Sequence, residues 1–291
     1  MAADKIHDFA MERRLKELDS ELHRRFSDAV FGLQHVLSNY KLIFPEYTDH
    51  TELHSLNVID FCNQLMGDQL QKLNKDEIYC LLMGCYFHDT GMGISMKDYE
   101  QFSKEINFGS YFENHSRDDL PEIIRSFHNE FSGLFIKKYA DFFEIPSDEH
   151  LFAIIQIARG HRKTSLMDEK EYPSDFGVPD GNIVSLPYLS ALIRLADEID
   201  VAASRNTKLL YDLEDILDPI EIVEHKKAHA VKELVVSEKA FTLKVETDED
   251  HIRSGIIKMA DKMQLTLDFC REVVQKRTPY IITQETVTVV Y

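Results

Sequence analysis

Apolar residues recur with a helical period over most of the first two-thirds of the chain. Leu15, Leu18, Leu22 and Phe26 stand at such spacing, and the pattern predicts one long amphipathic helix from about Ile6 to Asn39, ended by Pro45. A second helix is expected from about His50 to Met66. A third is expected from about Lys75 to His88, capped near Asn74 and stopped by Gly91 and Gly93. The polar stretch from Met96 to Arg117 reads as short helices and loop. Pro121 opens a helix that continues past Phe143. Ser147, followed by acids, opens another that carries Leu151, Ile154, Ile155 and Ile157 and ends near Gly160. Residues Thr164 to Asn182 hold Pro173, Gly177, Pro179 and Gly181 and read as a loop. Pro187 starts a helix through Leu189, Leu192, Leu195 and Ile199.

The pattern changes after about Arg205. Val231–Val236 and Phe241–Val245 have the alternation of two strands around a turn at Ser237–Ala240. A long amphipathic helix follows, roughly Glu249 to Gln275, and Tyr280–Val290 reads as a final Thr- and Val-rich strand. The expected fold is therefore mainly α, with a helical domain over residues 1–205 and a smaller C-terminal α+β subdomain over residues 206–291. No internal repeat or low-complexity segment interrupts it.

Composition narrows the classes of function. At 291 residues and 44% hydrophobic, the chain can bury a sizeable core without disulfides or structural metals. Cys62, Cys80, Cys85 and Cys270 form no CxxC pair and sit in apolar helical stretches, as buried thiols of a reducing compartment do. The formal net charge of −18 argues against a broad nucleic-acid surface, which needs clustered Lys and Arg. It leaves room for a small phosphorylated substrate, because a bound divalent cation supplies positive charge that the count omits. No basic segment followed by an apolar run opens the chain, and no apolar stretch could cross a bilayer. A cytoplasmic location is expected by elimination.

The candidate chemistry begins at His88–Asp89, which ends the apolar run from Cys80. Imidazole and carboxylate together suit a hard or borderline divalent cation such as Mn²⁺, Fe²⁺, Mg²⁺ or Zn²⁺. Alone, the dipeptide also reads as a helix cap or a chance pair. Asp197 lies on an otherwise apolar helix, where an acid is costly to bury unless paired or coordinated. His128 and His161 likewise interrupt apolar helices.

With these residues the chain resembles the HD-domain superfamily of metal-dependent phosphohydrolases. His54-Ser-Leu-Asn-Val resembles the first family motif, Phe87-His88-Asp89-Thr-Gly91 the second, and Leu195-Ala-Asp197-Glu-Ile-Asp200 the last. The resemblance spans roughly His50 to Arg205 and rests on the order and separation of three short motifs. It implies an HD-type helical core with His54, His88, Asp89 and Asp197 as metal ligands, His88 and Asp89 at the catalytic centre, and Asp89 as the bridge between two ions. His128 and His161 stand where two-metal members carry further ligands, so they are expected either to hold a second ion or to contact phosphate. Arg162 follows His161 where many two-metal members have a second histidine, so one ion or two is left open. The Gly-Tyr-Pro signature of the cyclic-dinucleotide-cleaving branch is absent.

A metal would lower the pKa of a water nucleophile and polarise the phosphate, which is the chemistry phosphoester hydrolysis requires. Arg159, Arg162, Lys163, Arg194 and Arg205 lie close in sequence to the implied ligands and suit phosphate, although salt-bridged or solvated roles fit them as well. His50, one turn before His54, suits substrate binding or an exposed position equally. Glu130 and Glu198 are acids that could carry protons or simply face solvent. The resemblance implies a nucleotide or related small phosphoester as substrate and no covalent intermediate. The competing class is a catalytically weak regulatory module that keeps the site to sense a ligand; the full set of four core ligands favours the enzyme. A homodimer is expected from the sheet edge that the C-terminal strands would leave.

Overall fold

The structure, a computed structural model, describes residues 9–45, 52–162, 164–201 and 219–291. It is mainly α-helical, with a small sheet near the C-terminus. The helices are α1 (Ala10–Leu18), α2 (Ser20–Ser38), α3 (Tyr40–Ile43), α4 (Glu52–Met66), α5 (Lys75–Phe87), α6 (Met96–Phe102), α7 (Leu120–Lys138), α8 (Asp148–Gly160), α9 (Leu186–Ile199), α10 (Pro219–Ala230) and α11 (Asp250–Arg277). Strand β1 (Phe176–Gly177) lies inside the expected loop and pairs with β2 (Ile183–Val184), just past its end. Strands β3 (Val231–Val236), β4 (Ala240–Val245) and β5 (Thr286–Val290) form a sheet in which β3 and β4 are antiparallel and β4 and β5 parallel.

The expected first helix is two. Asp19 leaves the helical region at φ −157° and ψ 101°, and its carboxylate accepts the backbone N–H groups of Glu21 and Leu22. A capping side chain that also meets Lys75 at 2.9 Å breaks a helix whose apolar period runs on. The final strand is shorter than expected, and α10 was not anticipated. The expected boundary after Arg205 lies outside the described residues.

Helix α5 forms the axis of the molecule. Every residue from Asp76 to Phe87 is buried, because α1, α2, α4, α8 and α9 all pack on it. An uninterrupted apolar run can form a helix only where it is covered all round. Asn74 and Glu77 close a reciprocal capping box at its start, so the end that carries His88 is set from a fixed origin.

One buried polar cluster locks α5 against α8. His150 Nε2 lies 2.9 Å from Asp76 Oδ1, and Asn182 donates to Oδ2 at 2.7 Å. Burial alone would push the Asp76 carboxyl up, but the bonds from His150 and Asn182 hold it below the usual carboxylate range. Removing one partner of a buried, charge-assisted pair strands the other, so Asp76→Ala should cost about 3 kcal/mol in denaturant unfolding. The sign with pH follows from the lowered pKa. The contribution is complete above the ordinary Asp value and is lost as pH falls through the lower, folded one. The acid limb of a stability–pH curve should therefore be shallower in Asp76→Asn than in the parent; identical limbs would remove Asp76 from this role.

Helix α11 joins the helical part to the sheet. Ile252, Ile256 and Met263 pack with Val231, Leu243 and Val245, while Leu267, Cys270, Val273 and Val274 belong to the main core alongside α9. Beyond it, Tyr280 stacks on Tyr188 with ring centres 4.1 Å apart and donates to Glu77 at 3.1 Å. The four cysteines are buried free thiols. Among the described residues no helix is long and apolar enough to cross a membrane.

Candidate metal centre

Five elements bring their chemistry to one point. His54 comes from the first turn of α4, His88 from the C-terminal cap of α5, Asp89 from the residue after it, and His128 from the middle of α7. His161 caps the end of α8, and Asp197 lies in the last turn of α9. The close approach of α7 depends on Gly91. A Cβ there would stand 2.1 Å from the backbone oxygen of His128. Ser132 Oγ then ties the two segments, donating to His88 O at 2.6 Å and accepting from Gly91 N at 2.8 Å. Gly160 does the same for α8 and α9, since a Cβ there would meet the Ser190 side chain at 2.6 Å.

The four imidazoles and Asp89 are buried. His54 Nε2 lies 3.1 Å from His88 Nε2, 3.2 Å from Asp197 Oδ1 and 3.5 Å from Asp89 Oδ2. His88 Nε2 lies 3.4 Å from the same Asp89 oxygen. The other Asp89 oxygen, Oδ1, faces His128 Nε2 at 3.4 Å and His161 Nε2 at 3.9 Å. Asp89 thus stands between two groups of donors, one of His54, His88, Asp89 and the other of Asp89, His128, His161. The Asp197 side chain, 23% exposed, is the member of the cluster open to solvent.

The tautomers show what the cluster accommodates. His88, His128 and His161 each place Nδ1 2.5–2.8 Å from the carbonyl three residues earlier, Cys85, Arg125 and Ala158. His54 Nδ1 lies 2.6 Å from Asp200 Oδ2. These oxygens accept, so each Nδ1 carries a proton, and a ring that holds only that proton turns a lone pair on Nε2 inward. His128 Nε2 and His161 Nε2 are then 2.8 Å apart. Facing lone pairs at such distances require a proton or a cation between them. Ligands about 2.1 Å from an octahedral ion stand about 3.0 Å from one another, close to the spacings around His54. The residues present therefore fit a divalent metal.

The electrostatics agree. Burial would lower the His88 pKa, but the charge of Asp89, its hydrogen bond and the charge of Asp197 push it up to about 9. Burial would raise the Asp197 carboxyl, yet the His54 bond and the neighbouring imidazoles hold it far below the usual carboxylate range. His161 moves the other way. Burial, then the charges of His128 and His88, push it well below the ordinary histidine value. Positive charge is favoured beside the carboxylates, and a second proton a few ångströms away is not.

The sequence profile of the HD-CE family, an HD-type family, matches residues 44–280. The chain belongs to the HD-CE family. Searches of curated proteins and of solved structures give no match. The HD-CE match contains all six clustered residues, and together with the buried His/Asp groups it suggests a metal-dependent hydrolase of the HD superfamily.

The remaining candidates of this HD-CE domain divide. Arg162 is half-buried beside His161; its charge acts on Glu198, and its guanidinium makes no hydrogen bond or ion pair among the described residues. Arg194 braces the end of α8. Its guanidinium donates to Gly160 O at 2.7 Å and to Thr164 O at 2.9 Å, holding the turn that follows His161. Glu130 is committed to a two-bond pair with Arg159, and Glu198 to Lys262 at 2.8 Å. His50, Lys163 and Arg205 lie outside the described residues. Two positions were not singled out from the sequence. Ser132 has no signal of its own there, whereas Asp200, three residues after Asp197 on the same helix end, could have been found by its spacing.

Proposed function

We propose that this HD-CE protein hydrolyses a phosphoester bond of a nucleotide or a related small phosphorylated molecule, with water as nucleophile and no covalent intermediate. The observation that carries the reading is the convergence of four inward Nε2 atoms on Asp89, with one carboxylate oxygen facing each pair. His54, His88, Asp89 and Asp197 would hold one divalent ion, and Asp89, His128 and His161 a second. An imidazole-rich set of this kind favours Mn²⁺, Fe²⁺ or Zn²⁺ over Mg²⁺. When bound, such an ion supplies an acidified water and polarises the phosphoryl group. Asp89 and His88 sit at the reacting centre, with Asp89 fixed by the turn that α7 clasps. Asp197 stands at the opening, and the Arg162 guanidinium, unpaired among the described residues, is available to orient a phosphate.

The test is direct. Protein purified without chelator should carry a transition metal by elemental analysis and release phosphate from members of a nucleotide panel. Exhaustive dialysis against EDTA should abolish release, and added Mn²⁺ should restore it. Absence of metal together with no binding on titration would remove the metal reading. Tight metal binding with no hydrolysis of any phosphoester would leave the regulatory module as the better account.

A further inference from the structure

His54 differs from its three companions in what holds its outer nitrogen. Theirs is fixed by a carbonyl of the same helix, a neutral acceptor. His54 faces a full carboxylate, Asp200, at 2.6 Å and 146 residues away. The other oxygen of Asp200 accepts from Asn57, three residues along α4 from His54, at 3.1 Å. One carboxylate therefore grips the same face of α4 twice. Asp200 is 1% exposed, so its charge acts on His54 without much screening by water. It also follows Asp197 by less than one turn, so a single helix end carries both a candidate ligand and this brace. Behind it lies a groove of about 240 Å³ between α4 and β3, walled by Phe61, Lys232 and Leu234. The C-terminal sheet thus stands over the rear of the pair.

We infer that Asp200 is a positioning residue for metal binding. It fixes His54 in the tautomer that turns a lone pair inward, and its charge makes His54 the strongest of the four imidazole donors. This inference rests on the metal reading above.

The experiment uses the full chain and Mn²⁺, titrated in competition with a chelating dye. Asp200→Asn is nearly isosteric. Its amide oxygen can still accept from His54, and the Asn57 amide can flip to meet the new N–H. Charge is removed while the shape and the bonds to His54 and Asn57 are kept. Mn²⁺ affinity should fall by about 10- to 100-fold, with the melting temperature of the metal-free protein little changed. Nitrogen NMR of the metal-free protein should show the His54 proton on Nδ1 in the parent and a mixture of tautomers in the variant, a shift that a merely structural role would not produce. Asn57→Ala, which keeps the charge and loosens only its anchor, should show a smaller loss of affinity. It carries the test if Asp200→Asn fails to fold. Unchanged Mn²⁺ affinity and an unchanged His54 tautomer in Asp200→Asn would overturn the inference while leaving the metal site standing. A parent protein that binds no Mn²⁺ would overturn both.

Discussion

Asp89→Ala should give a folded protein that holds little metal and releases no phosphate. Asp89 is the residue shared by both donor groups, with Oδ2 toward His54 and His88 and Oδ1 toward His128 and His161. Its loss removes a ligand from each at once, and the rate should fall by several powers of ten. Little packing depends on it. The side chain follows the last turn of α5 and faces the imidazoles of the cluster. Circular dichroism should therefore show parent helicity, and that control must be met before the loss is read as chemical. His54→Ala should behave similarly. His128→Ala separates one ion from two, because it removes a donor only on the His161 side. Hydrolysis at the parent rate by Asp89→Ala would sink the proposed function.

What could be read from the sequence follows how local its cause is. The buried run from Ile78 to Phe87, with Asn74 and Glu77 before it and His88 after it, states helix, start and end within one short segment. The structure shows that segment as α5. Strands β3 and β4 were legible for the same reason, since alternation and a turn lie side by side. The break at Asp19 was not. The apolar period runs through it, and one of the bonds that stabilise the break comes from Lys75 in another helix. Arg194 illustrates the same limit at the site. Its place one turn before Asp197 gives no sign of the carbonyls it serves, Gly160 and Thr164, which belong to the end of α8 and the segment beyond. The six clustered residues were named from motif order. Their division into two groups about Asp89 depends on the crossing of α5, α7 and α8, which no single segment encodes.

That crossing rests on Gly91, and Gly91→Ala should destabilise the protein and empty the site together. From the sequence Gly91 reads as a helix stop. In the structure it lies in a tight turn over residues Thr90–Gly93 and its α-carbon faces the backbone of α7. An added Cβ would stand 2.1 Å from His128 O, 2.8 Å from Ser132 N and 2.9 Å from His128 C. These are backbone atoms, so no side-chain rotation relieves the overlap. Helix α7 must retreat by about 1 Å to restore normal contact. The retreat would break the bonds through Ser132 Oγ and carry His128 away from Asp89, now 3.4 Å distant. Overpacking of this kind, with two buried hydrogen bonds lost, should cost about 3–4 kcal/mol in denaturant unfolding. Ser132→Ala removes those bonds without the overlap and should cost about 1–2 kcal/mol. Gly177→Ala is the control, since nothing lies within 4 Å of a Cβ there, and it should change little. Mn²⁺ titration of the folded fraction completes the measurement. Affinity should drop in Gly91→Ala and hold in Gly177→Ala, because only the first displaces a donor. If Gly91→Ala matched the parent in both stability and Mn²⁺ binding, the close clasp of α7 on the turn that carries Asp89 would be wrong, and with it the account of how His128 reaches the cluster.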